Sequence, residues 1–178
     1  SVEAQAVLKR QLEALPPSER EAADQMNLML GLIAGERSET GRRAFKQLLR
    51  DGQKPETQRL ALQLLARGAT TPAEREQLRR ELGELINATP PSRITEDILL
   101  VRAQTALADK DYVHADEDAR ALLERYPGTA LKAAALGVRL AVAWDLKRYR
   151  TASDLIAQLR DAIGPGRERA ELGVLLAE

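Results

Sequence analysis

Two stretches of this chain carry one pattern written twice: ALADKDYVHADEDARALLERY at 106–126 and AWDLKRYRTASDLIAQLRDAI at 143–163, 37 residues apart. Lys110 and Lys147, Tyr112 and Tyr149, Ala115 and Ala152, and Leu122 and Leu159 fall in register. A fixed spacing of this size is that of a helical hairpin. A single hairpin cannot bury its apolar face alone, so successive hairpins must stack. The spacing therefore predicts an elongated solenoid rather than one globular core around one active site. With 178 residues, the chain has room for about five such units of ~34–40 residues.

The same step can be followed towards the N-terminus. In second helices it gives Gly41, Leu78, Ala115, Ala152, then Phe45, Leu82, Ala119, Ile156, then Leu48, Leu85, Leu122, Leu159. In first helices it gives Gln25, Leu62, Leu99, Leu136, then Met29, Ala66, Ala103, Leu140, then Leu32, Ala69, Ala106, Ala143. Only Gln25 and Gly41 break the apolar pattern, whereas a 44% apolar composition gives about half as many apolar positions by chance. Within each helix the columns sit at i, i+4 and i+7, which is one stripe of an α-helix.

Capping and breaking residues divide the chain into helices. Ser1–Leu15 reads as a first helix ended by Pro16-Pro17, and Ser18 with Glu21 reads as a capping box for a helix reaching Ala34. After the GERSET turn a helix runs to about Arg50, and Pro55 opens another that ends at Gly68. Thr71, Pro72 and Glu74 combine an N-cap, a proline at the first helical position and a box acid, for a helix to about Asn87. Further helices are expected from Thr95 to Ala108, Asp111 to Tyr126, about 130–146 with Thr129 as N-cap, and 149–163. No segment alternates with period two, so no sheet is expected. The resulting units are an N-terminal helix at 1–17, hairpins at 18–52, 53–90, 91–128 and 129–164, and the first helix of a further hairpin at 165–178. That last segment and the opening Ser1 read as the cut ends of a longer repeat array.

Composition excludes several chemistries. There is no cysteine, so no disulfide, thiolate metal site or cysteine nucleophile. Basic and acidic residues balance at 27 each, which removes the usual electrostatic footprint of nucleic-acid binding. Of the basic residues 21 are arginine, read either as composition bias or as local carboxylate contacts made by Arg37, Arg42, Arg43, Arg79 and Arg80. His114 is the single histidine, with no second histidine to share a metal or a proton, and is expected at the surface. Asp116, Glu117 and Asp118 read as a solvated helix face. No catalytic residues, metal, cofactor or small-molecule substrate are expected.

The residues at 96–163 resemble the tetratricopeptide repeat family. Leu99, Ala103 and Ala106 stand at its first-helix positions, and Ala115, Ala119, Leu122 and Pro127 at its second-helix positions. Leu136, Leu140, Ala143, Ala152, Ile156 and Leu159 repeat the match, with Tyr112 and Tyr149 in the turns. Arg102 and Arg139 depart from it, standing where Leu28 and Leu65 keep the family leucine. Joined to the spacing, the resemblance implies an all-α fold: a right-handed α-solenoid of stacked antiparallel helix hairpins with a period of about 37 residues.

It further implies a non-enzymatic scaffold that takes a partner peptide or helix along its concave first-helix surface. In family register that groove includes Asn27, Gln63, Arg67, Leu100, Val101, Gln104, Val138 and Trp144. Trp144 has a second reading, in which it covers the end of its helix and packs on Tyr149. Chaperone-binding members clamp a terminal carboxylate with groove lysines and asparagines; Asn27 and Arg67 are present here but no matching lysine is, so that activity is not expected. YPGT at 126–129 is similar to repeat ends of bacterial cell-envelope members, which favours the periplasm or envelope over the cytoplasm. The expected partner is a protein, not a nucleic acid. The other reading is a structural spacer, or a module that self-associates through uncapped ends.

Overall fold

The computed structural model describes residues 2–164. Among them are α1 (Val2–Ala14), α2 (Arg20–Ala34), α3 (Glu39–Asp51), α4 (Pro55–Gly68), α5 (Pro72–Ile86), α6 (Thr95–Ala108), α7 (Tyr112–Arg125), α8 (Lys132–Asp145) and α9 (Tyr149–Ile163), and no strand. Neighbouring helices pack on one another. The segment 165–178, read above as the start of another hairpin, lies outside the described residues. Contacts divide the chain into a first unit ending at Val101 and a second beginning at Arg102, a boundary inside α6.

Side-chain caps set the starts of α3, α5 and α7. Ser38 caps α3 by accepting from Gly41 N at 2.9 Å. Thr71 and Glu74 form the reciprocal box on α5, Thr71 Oγ1 accepting from Glu74 N at 3.3 Å and Glu74 from Thr71 N at 3.1 Å. Asp111 caps α7 through His114 N. Two expected caps do not form. The Pro16 carbonyl accepts from Glu19 N at 2.9 Å, closing a turn over Ser18, so α2 starts at Arg20 without a side-chain cap. Glu21 then pairs with Lys54 instead. Thr129 accepts from Leu131 N at 3.1 Å inside the turn, and α8 begins only at Lys132.

In the first unit, Phe45, Leu48 and Leu49 of α3, Leu62 and Leu65 of α4, and Leu78 and Leu82 of α5 form one core with Ile94 and Ile98. α2 approaches closely enough that a Cβ on Gly31 would stand 2.4 Å from Phe45 Cε1. This contact fixes which side of α2 faces inward, and it is not the side that a 37-residue step selects. Gln25, Met29 and Leu32 are exposed, and α2 buries Asn27, Leu30 and Gly31. Adding 34 rather than 37 brings the two helices into register. Asn27, Leu30 and Gly31 then meet Ala61, Leu64 and Leu65, all buried, while Gln25, Met29 and Ile33 meet Arg59, Gln63 and Arg67, all exposed. Three residues are about 60° of helix rotation, enough to swing a stripe out of the core.

In the second unit, α8 and α9 bury Leu136, Ala143, Ala152, Leu155 and Leu159 together, and Ala115, Ala119 and Leu122 of α7 are fully enclosed. Arg102 and Arg139, the two arginines read at a leucine position of the repeat, are tied to α7. Arg102 forms a two-pronged pair with Asp118, and Arg139 Nε donates to Asp116 Oδ1 at 2.8 Å. The solvated face expected at 116–118 is therefore corrected: Asp118 is buried and Asp116 half-buried, leaving only Glu117 exposed. Burial of those carboxylates is tolerable because each faces a guanidinium.

Candidate surface for a protein partner

α2 and α4 lie side by side and run in the same direction. At their starts Lys54 pairs with Glu21, and Asp24 Oδ2 accepts from Gln53 N at 2.7 Å; at their ends Arg67 Nε donates to Glu36 Oε1 at 3.0 Å. Lys54 holds the Glu21 carboxyl below its ordinary range and is itself raised. Glu36 is lowered by its own backbone N–H and by Arg67. With ends aligned, the outward sides of the two helices form one face of the first unit. Met29 and Leu32 are 52% and 56% exposed there, joined by Ile33 and by Leu60, Gln63 and Arg67 of α4. Apolar side chains of this size left open together on one face make it a candidate surface for a partner.

The structure separates the eight groove positions read from the sequence. Gln63, Arg67, Gln104 and Trp144 are exposed, and Val101 is half-buried. Leu100 and Val138 are buried. Asn27 is buried too, its Nδ2 donating to the Ala23 carbonyl at 3.0 Å. It lies on the floor of a cleft of about 630 Å³ between α1, α2 and α3, with Leu12, Leu30 and Ala44 also lining it. Met29, Leu32 and Ile33 were missed because α2 is apolar nearly all round. The available signal was Gly31, whose missing side chain marks the side of closest approach.

In the second unit, Trp144 ends the α8 row begun by Gly137 and Ala141. It meets Tyr149 edge-on at 5.8 Å between ring centroids and is 61% exposed. The contact with Tyr149 is the one that the second reading of Trp144 expected, and the ring stays accessible.

Several charges elsewhere are paired within the fold. Arg42 pairs with Glu74 at 3.0 Å and Lys46 with Glu81 at 2.7 Å between α3 and α5, over a cleft floored by Leu65, Ala69 and Leu78. The backbone N–H groups of Thr71 and Thr70 lower the Glu74 carboxyl to about 2. His114 is exposed, with Nδ1 2.7 Å from Asp111 Oδ2. Among the described residues no three His, Asp or Glu side chains gather as a metal site, and no helix is long and apolar enough to cross a membrane. Compared with protein-family models, curated proteins and solved structures, the chain gives no match.

Proposed function

We propose that this protein is a non-enzymatic scaffold of tetratricopeptide type that holds an amphipathic helix or extended peptide of another protein on its first-helix face. The observation that carries the reading is the open apolar row of Met29, Leu32 and Ile33 on α2 beside Leu60, Gln63 and Arg67 on α4. Such a row offers apolar anchors flanked by amide and guanidinium donors, the combination that seats an amphipathic helix. Each unit is read as a right-handed stack of antiparallel hairpins. In the first unit this is supported by bonds linking residues one hairpin apart, such as Lys9 to Thr40 (31 residues), Lys46 to Glu81 (35) and Arg59 to Asp97 (38). A stack held in this way gives up little order on binding. The YPGT repeat end favours a bacterial envelope setting.

The test is a displayed library of amphipathic peptides selected on the whole chain, followed by calorimetric titration. Leu32→Lys with Ile33→Lys should weaken the selected peptides at least about tenfold, with the far-UV spectrum unchanged. Undiminished binding to that variant would reject the α2–α4 face.

A further inference from the structure

The turns joining α6 to α7 and α8 to α9 are the same turn, 37 residues apart. Lys110 and Lys147 both take left-handed backbone, at φ 59° and 56°. The Ala106 and Ala143 carbonyls accept from Asp111 N and Arg148 N at 2.9 and 2.8 Å, and those of Leu107 and Trp144 from Lys110 N and Lys147 N at 2.9 Å. This double closure fixes both helix ends. A bond from Tyr112 Oη to Asp145 Oδ2 at 3.1 Å ties the start of α7 to the end of α8, so the two turns are neighbours.

What these turns expose is unusual in a chain so poor in aromatics. Trp144 and Tyr149, in edge-on contact, are 61% and 60% exposed, with Val113 and Leu146 open as well. Lys147, Arg148 and Arg150 are exposed and have no ion pair among the described residues. The carboxylates of the same turns are already engaged, Asp145 by Tyr112 and Asp111 by His114. The cations are left without local partners beside a preformed aromatic pair. Trp, Tyr and Arg are the side chains that dominate protein interfaces, and guanidinium pairs with carboxylate in two parallel hydrogen bonds.

We propose that this end of α7, α8 and α9 is a second docking surface, for a peptide segment that brings carboxylates to Arg148 and Arg150 and an apolar side chain to Trp144 and Tyr149. An anionic lipid sheet is disfavoured by charge. Lys110, Lys147, Arg148 and Arg150 stand against Asp109, Asp111 and Asp145, an excess of one positive charge with His114 neutral. Attraction to a charged sheet scales with that small excess, whereas contact pairing with a carboxylate depends on the individual guanidinium. The surface shares no residue with the α2–α4 face, and the proposal stands whether or not that face binds.

Trp144 is the only tryptophan, so its emission reports this surface alone. The probes are a labelled twelve-residue peptide of Glu and Leu, its counterpart with Lys in place of Glu, and phosphatidylglycerol vesicles. The Glu peptide should shift the emission to the blue and saturate. Arg148→Glu with Arg150→Glu should weaken it at least about tenfold and admit the Lys peptide. Trp144→Ala, read through the label, should weaken it comparably, with the far-UV spectrum of each variant unchanged. The proposal is overturned if the Glu peptide leaves the emission unmoved, if the charge-reversed variant binds it equally, or if only the vesicles shift the emission.

Discussion

Gly31→Ala and Gly137→Ala should change stability in opposite directions, although both place alanine inside a helix. Replacing a helical glycine by alanine contributes about 1 kcal/mol through lower chain entropy in the unfolded state. At Gly137 nothing lies within 4 Å of the new methyl, so that gain should appear whole. At Gly31 the methyl would stand 2.4, 2.7 and 2.9 Å from three ring carbons of Phe45. Carbon contacts settle at about 3.5–4.0 Å, so the ring edge must retreat by roughly 1 Å. Phe45 is fully buried and packed within the core of the first unit. Overpacking of this kind costs about 1–3 kcal/mol, and three simultaneous overlaps put it near the upper end. The net expectation is a loss of about 1–2 kcal/mol, or roughly 2–8 °C in a chain of this size. Thermal unfolding by far-UV circular dichroism measures the Gly31 variant, and Trp144 fluorescence follows the Gly137 variant in its own unit. A Phe45→Leu background should remove most of the Gly31→Ala penalty. If Gly31→Ala stabilises as Gly137→Ala does, α2 does not rest on Phe45 and the assignment of its inward face fails.

Lys110→Gly and Lys147→Gly should each stabilise by about 1 kcal/mol in urea titration, because only glycine takes a left-handed position freely; a loss in both would show the two turns mis-assigned. Asp118→Ala should cost about 2–3 kcal/mol by leaving Arg102 half-buried without its partner, whereas Asp118→Leu with Arg102→Met should cost far less; equal losses would refute the pairing. On acidification Glu74 should drive part of the unfolding. Its carboxyl is lowered to about 2 when folded and titrates near ~4.3 when unfolded. Its contribution is therefore present above that unfolded value and lost as pH falls towards the folded one. Glu21 and Glu36, both lowered, act in the same sense. Glu74→Gln should flatten the acid limb of a circular-dichroism titration between about pH 5 and 2, and superimposable curves would contradict this.

How far the fold was legible depended on how local its causes are. The Thr71-Pro72-Glu74 start and the Thr95–Ala108 helix could be read directly, since a cap or a first-turn proline acts within a few residues. The Ser18 box failed by one residue because the Pro16 carbonyl takes Glu19 N and delays the helix. The inward face of α2 was not legible: Met26, Leu28, Met29, Leu30, Leu32 and Ile33 leave no polar side to orient it. Asp116 and Asp118 looked like surface because the arginines that hold them stand 23 and 16 residues away on other helices. The candidate site inherited these errors. A row copied in steps of 37 placed Asn27 on the outer face of α2, where the 34-residue relation puts Met29 and Ile33.

That relation bears on why a chain packed with alanine and leucine settles in one arrangement. Small, uniform side chains let helices slide and rotate at little cost, so alternatives only 60° apart compete. The pairs Glu21–Lys54, Asp24–Gln53 and Glu36–Arg67 join residues 33, 29 and 31 apart and agree on a single placement of α2 along α4. The Glu21–Lys54 and Glu36–Arg67 pairs are exposed and add little to stability by themselves, and the Asp24–Gln53 bond is part-buried, but turning α2 to expose Gly31 would break all three together. Their role on this argument is to select the face that α2 presents, and so to keep Met29, Leu32 and Ile33 outward. Glu21→Gln, Asp24→Asn and Arg67→Gln combined should therefore leave the unfolding midpoint nearly unchanged while amide exchange along α2 accelerates. A large drop in the midpoint with unaltered exchange in α2 would show that these pairs hold the fold together without choosing its register.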